Sequence, residues 1–205
     1  MTHRRINFAM MTAAATMLLS SCLSIPKLDR ASDINMQRLD RATDANPNNV
    51  HAQFLLGRSY LESNESAKAA VHFRKAIALK PDFEEAWDGL GVAKLDEHDY
   101  NGAADVYTEM RGKFPGSAAA CEGLANAHLG AGRFDEAEKF AREARALDAK
   151  SGQAARVLGE AAYAKGDYAT AIREWKKFAE LDPFHGKELQ QTIDDLESYQ
   201  KKYGK

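Results

Sequence analysis

Residues 84–117, EEAWDGLGVAKLDEHDYNGAADVYTEMRGKFPGS, decide the fold, because their landmarks recur on both sides at a spacing of 34 residues. Pro115 closes this stretch, and Pro81 and Pro47 stand one and two periods before it. The next step falls on Ala149 and the one after on Pro183, so the period runs through the chain. Gly57, Gly91, Ala125 and Gly159 form one column, and Ala69, Ala103, Ala137 and Ala171 form another. Bulky residues follow as Phe73, Tyr107, Ala141 and Trp175, then Ala76, Met110, Ala144 and Phe178. Self-similarity at such a period marks stacked supersecondary units, each unable to bury its apolar face alone. Four units fit, residues 50–83, 84–117, 118–151 and 152–185.

Each unit reads as two antiparallel helices. No stretch sustains the period-two alternation of a half-buried strand, and turn residues break each unit once, at 62–66, 96–99, 130–132 and 165–167. Small residues in the glycine and alanine columns allow backbones to approach, and the large column fills the space between them. Each proline stands beyond a second helix, which it cannot continue. The expected fold is therefore all-α, a solenoid of four helix hairpins. Residues 32–49 supply an N-terminal helix and turn, with Ile34, Leu39 and Ala42 inward, and residues 186–205 a capping helix with Leu189, Ile193, Leu196 and Tyr203 on its apolar stripe.

These columns resemble the tetratricopeptide-repeat family. The resemblance implies a concave surface lined by the first helix of each unit, which holds an extended peptide or a helix. Its second, fifth, ninth and twelfth positions are here His51, Phe54, Arg58 and Leu61; Glu85, Asp88, Val92 and Leu95; Ala119, Glu122, Asn126 and Leu129; Gln153, Arg156, Glu160 and Tyr163. Spacings of three and four residues put each set on one helix face. For the apolar members two readings stand, ligand contact and packing of the solenoid. Chaperone-binding members of the family clamp a peptide carboxylate with lysines and asparagines. Phe54, Asp88 and Glu122 stand where such a lysine is needed, so that ligand is not expected, and an acidic segment would be repelled by the second and third units.

The start of the chain is an address. Arg4 and Arg5 precede an uncharged, mostly apolar run from Phe8 to Leu19, too short for the roughly 20 residues of a spanning helix. Leu19-Ser20-Ser21-Cys22 resembles the lipobox of bacterial lipoproteins, which implies a signal peptide over residues 1–21, cleavage before Cys22 and lipid on its sulfur. Residues 22–31 then form the lipidated N-terminus and linker. Two or three acyl chains, at about 0.8 kcal/mol per buried methylene, anchor a protein where one does not. Leu23 follows the cysteine, and the absence of aspartate there implies the outer membrane, facing the periplasm.

Composition and motifs exclude several classes of function. Net charge is −2, near −4 once Arg4 and Arg5 are removed, and the cations alternate with acids, which argues against nucleic acid. The six histidines show neither an i, i+4 pair nor an HExxH motif, so no metal is expected. No nucleophile elbow, Walker loop or dinucleotide fingerprint is present, so neither catalysis nor a cofactor is expected beyond the covalent lipid at Cys22. Cys121 reads as a small packing residue and His128 as a half-buried one. A lipid anchor joined to a peptide-binding solenoid resembles the pilotin lipoproteins that escort secretin subunits in pilus and secretion systems. The expected role is a protein-binding adaptor of the envelope, with a secretin or pilus component as partner. An adaptor for cell-wall hydrolases or proteases, and a self-associating structural lipoprotein, are the alternatives.

Overall fold

A computed structural model describes residues 30–203. The expected signal peptide, the expected lipidation site Cys22 and the linker up to residue 29 lie outside the described residues. Ten helices follow: α1 Arg30–Ala45, α2 Val50–Glu62, α3 Ser66–Leu79, α4 Glu84–Asp96, α5 Tyr100–Lys113, α6 Ala118–Gly130, α7 Phe134–Leu147, α8 Gly152–Ala164, α9 Tyr168–Leu181 and α10 Pro183–Tyr203. No strand occurs among the described residues. The helices from α2 to α9 pair into four hairpins, each with a first helix of 13 residues and a second of 14. The fold is an all-α helical-repeat solenoid.

Local chemistry repeats with the same period as the core. The first helices begin at Asn49, Phe83, Ser117 and Ser151, and the three polar members each accept a hydrogen bond from a backbone N–H one turn in. Phe83 cannot do so, and Glu84 and Glu85 place negative charge on that helix terminus instead. The first helices end on a left-handed residue, Asn64, His98, Gly132 or Gly166, with φ between 57° and 80°. In each case the following amide bonds back to a carbonyl five residues earlier, for example Asp99 N to Lys94 O at 3.0 Å. This turn sends the second helix back antiparallel.

The aromatic column lies between two first helices. Phe73, Tyr107 and Trp175 are buried. The Tyr107 ring has Gly91 of its own unit on one side and Gly123 of the next on the other; a Cβ at either would come within 2.3 and 2.2 Å of ring atoms. Gly123 belongs to a second column that the sequence reading does not single out, Gly89 and Gly123 beside the Phe73 and Tyr107 rings and Val157 beside Ala141, where no ring needs the space. In the third unit Ala141 replaces the ring, and Ala125, Val157 and Leu158 close the core around it.

Both ends differ from expectation in detail. On α1, Ala42 is exposed and Thr43 is buried, with Met36, Leu39 and Asp40 half-buried beside it. The Thr43 hydroxyl bonds to the Asp40 carbonyl at 2.8 Å, which leaves its methyl free to pack inward. The side chain of Ile34 is not among those described. The capping helix starts at Pro183 rather than 186: proline tolerates the first helical position, and Asp182 accepts the His185 amide at 3.2 Å. Leu189, Ile193 and Leu196 join Trp175 and Phe178 in one cluster, whereas Tyr203, two turns further along the same face, is 57% exposed and stands outside that cluster.

Candidate peptide groove on the first-helix face

Consecutive first helices touch at every step, α2 with α4, α4 with α6 and α6 with α8. Second helices do not reach that degree of contact with one another among the described residues. The array therefore curves with its first helices on the inner side. Charge divides along the same line: summed over their side chains, the four first helices carry −4 and the four second helices +3. The inner excess comes from α4 and α6, through Glu84, Glu85, Asp88, Asp96 and Glu122 against Lys94.

The sixteen groove positions divide by burial. His51, Arg58, Glu85 and Gln153 are exposed, and Asp88, Val92, Ala119, Glu122, Asn126 and Glu160 are half-buried. Several apolar members serve the solenoid. Leu129 is buried in the third-unit core, and Leu61 and Leu95 pack on the cores beneath them. Phe54 leans on Phe83 and Phe73, with ring centroids 4.8 and 5.9 Å apart, and Tyr163 leans on Trp175 at 5.5 Å. Val92 remains the apolar side chain of the set that belongs to no core cluster.

Arg156 is buried, with 8% of its surface exposed, and its donors are taken. Its Nε donates to Gln153 at 2.9 Å, and its terminal nitrogens donate to Glu160 and to Asn126 of the preceding unit. Asn126 in turn donates to the Glu122 carbonyl at 3.0 Å, and the Ser151 hydroxyl donates to the Glu122 carboxylate. This network ties α6 to α8, so Arg156 is a structural member of the floor rather than a free cation. Arg58, by contrast, lies over the Phe54 ring at 6.0 Å and only 3.9 Å from Glu62, a loose surface arrangement.

Asp88 is the electrostatically stressed member. Burial pushes its carboxyl above the usual range, the Tyr107 hydroxyl donating at 3.2 Å draws it back down, and Glu122 and Glu84 raise it further. Burial, and then Asp88 itself, hold the Tyr107 phenol well above its ordinary value. The sequence reading missed this link from the groove floor to the aromatic column. The signal for it was Tyr107 in a column otherwise filled by Phe73, Ala141 and Trp175, since a buried phenol needs an acceptor.

The remaining candidates stay structural. Cys121 packs with Ala144 and Ala154, and burial raises its thiol. His128 stacks on Phe140 at 5.2 Å, and burial lowers its imidazole. Among the described residues no three His, Cys, Asp or Glu side chains gather as a metal site, and no helix is long and apolar enough to cross a membrane.

The comparisons agree with this architecture. Two family models described as tetratricopeptide repeat match residues 37–84 and 94–161. A crystal structure of MamA matches with TM-score 0.65 and 22% identity over 76% of this chain and 91% of the other. A thermophilic TPR protein of Thermus thermophilus matches with TM-score 0.68 and 18% identity over 82% and 91%. PilW, a widely conserved type IV pilus biogenesis factor, matches with TM-score 0.64 and 17% identity over 86% and 94%. No curated protein matches by sequence. At these identities the solved structures speak for the fold, and together the family models cover more than half of the 205 residues: the chain is built of tetratricopeptide repeats.

Proposed function

We propose that this chain is a lipid-anchored adaptor of the bacterial envelope, which catalyses nothing and binds a basic or amphipathic segment of an envelope protein in its concave groove. The carrying observation is the inner face itself, acidic through α4 and α6, with Val92 only half-buried among carboxylates and Arg156 already neutralised by Glu160. Such a face favours a partner that brings cations and a few apolar side chains. Tetratricopeptide repeats mediate protein-protein interaction, and the fold likeness to PilW, a type IV pilus biogenesis factor, favours a pilus component as partner, with a secretin subunit the other candidate. Cys22 would fix the solenoid to the outer membrane on its periplasmic side, through lipid on its sulfur.

Two experiments test the two halves. Replacing Cys22 by alanine is expected to move the protein from the membrane to the soluble fraction; retention in the membrane removes the anchor. For the groove, detergent-solubilised membranes are passed over the wild-type protein and over a Glu85→Lys, Val92→Asp variant, and bound proteins are identified by mass spectrometry. Both substitutions spare the Arg156 network. A secretin or pilus component held by the wild type and lost with the variant supports the reading. Cell-wall hydrolases or proteases in its place support the second adaptor role, and copies of the chain alone support self-association.

A further inference from the structure

The outer slots between consecutive second helices are not equivalent. Between α5 and α7 the slot is filled by Phe140, with the Arg111 guanidinium 5.5 Å above its ring and bonded to Glu143 at 2.8 Å. Between α7 and α9, Arg145 bonds to the buried Glu174 at 2.9 Å. One period before Arg111, Phe140 and Glu143 stand Ile77, Val106 and Glu109. The arginine is missing, the ring has shrunk to valine, and the carboxylate is kept. Glu109 is exposed and forms no ion pair among the described residues.

The slot between α3 and α5 is accordingly open, a cleft of about 420 Å³ with Arg74 and Ile77 on one wall, Asp105 and Glu109 on the other and Trp87 in its lining. We propose that this outer cleft is a docking site for an arginine of a partner protein, which supplies from outside the group that Arg111 supplies within the chain one unit later. The guanidinium pairs with Glu109, and its methylene stem lies on Ile77 and Val106. The second slot shows that this geometry takes a planar guanidinium resting on apolar surface, with a terminal nitrogen on the carboxylate. Arg74 opposes it across the cleft and Lys113 lies 5.5 Å from the Trp87 ring, so the site does not attract cations at large. It selects the group that can fork onto a carboxylate, arginine over lysine. The cleft lies outside the concave groove, and its occupancy does not depend on the groove reading.

The test uses the full-length chain in detergent micelles, labelled with ¹⁵N at tryptophan, and a capped six-residue peptide of alternating leucine and arginine. The expected result is movement of the Trp87 indole signal with the Trp175 signal unmoved. Glu109→Gln weakens binding roughly tenfold, the loss expected of a charge-assisted hydrogen bond. Ile77→Arg, which restores the missing group in place, abolishes it, and a second peptide with lysine in place of each arginine binds more weakly. An unmoved Trp87 signal at millimolar peptide overturns the proposal, as does Glu109→Gln binding like wild type. An unchanged Trp175 signal in both variants verifies that the solenoid is intact.

Discussion

His98 is the residue at which local conformation and residue type disagree most. It holds φ 57° at the turn where Gly132 and Gly166 stand in later units, and a side chain there crowds its own backbone. His98→Gly should stabilise the second unit by about 0.5–1 kcal/mol, less whatever its ring contributes through Nδ1 at 3.0 Å from the Tyr100 hydroxyl. Hydrogen exchange on α4 and α5 would read this; a loss of protection would mean that the ring contact outweighs the strain. Asp88 shows a conflict of another kind. Its folded carboxyl titrates above the usual range because burial disfavours the charge, so it contributes stability below the unfolded value that is lost as pH rises through the folded one. Asp88→Asn keeps an acceptor for Tyr107 and removes the charge. The variant should be more stable than wild type at pH 7, with the gap closing on acidification toward the ordinary carboxylate range. Urea unfolding at a series of pH values measures it, and a constant gap would show that the charge is not the cause. The same variant should bind a basic segment less tightly, which is what a carboxylate kept for function rather than stability implies.

At the level of the helix, the aromatic column depends on glycines in two different units. Gly123→Ala puts a methyl group into the Tyr107 ring and should destabilise by about 1–3 kcal/mol, with exchange rising first in α5 and α6. An equal rise throughout the chain would mean that the units unfold as one. The first glycine column was legible in the sequence because it shares a unit with its aromatic and recurs at Gly57, Gly91 and Gly159. The partner column was not, since Gly89 and Gly123 give way to Val157 and act on the unit before them. Helix number and order were equally plain from the 34-residue period, yet the inward face of α1 was misjudged at Ala42 and Thr43, where a bond from hydroxyl to carbonyl overrides polarity. In the groove, spacing located the face but not the state of its residues. Arg156 and Leu129 look alike to the period as exposed candidates, and only contacts between α6 and α8 reveal one as a satisfied ion and the other as core.

Across the whole molecule, stability passes between neighbours and so depends on the ends. Ile193 is fully buried in the cluster through which α10 covers Trp175 and Phe178. Ile193→Ala should cost about 2–5 kcal/mol, concentrated in α8 to α10, with protection in α2 and α3 unchanged. Charge, unlike packing, acts over the full array. The inner helices sum to −4 and the outer ones to +3, and the inner acids converge from α4 and α6 within a curved surface. A basic segment approaching the groove is drawn by this field before contact, so its association should slow as salt rises and the Debye length falls below about 10 Å, while dissociation changes little. Glu85→Lys, on the exposed rim, should reproduce the effect of salt at low ionic strength and flatten the remaining salt dependence. Stopped-flow association of a fluorescent arginine- and leucine-rich peptide with the Ile77→Arg protein, in which the outer cleft is filled, isolates the groove. Association rates independent of salt in that protein would show that the separation of charge between the helix layers serves the fold and not the partner.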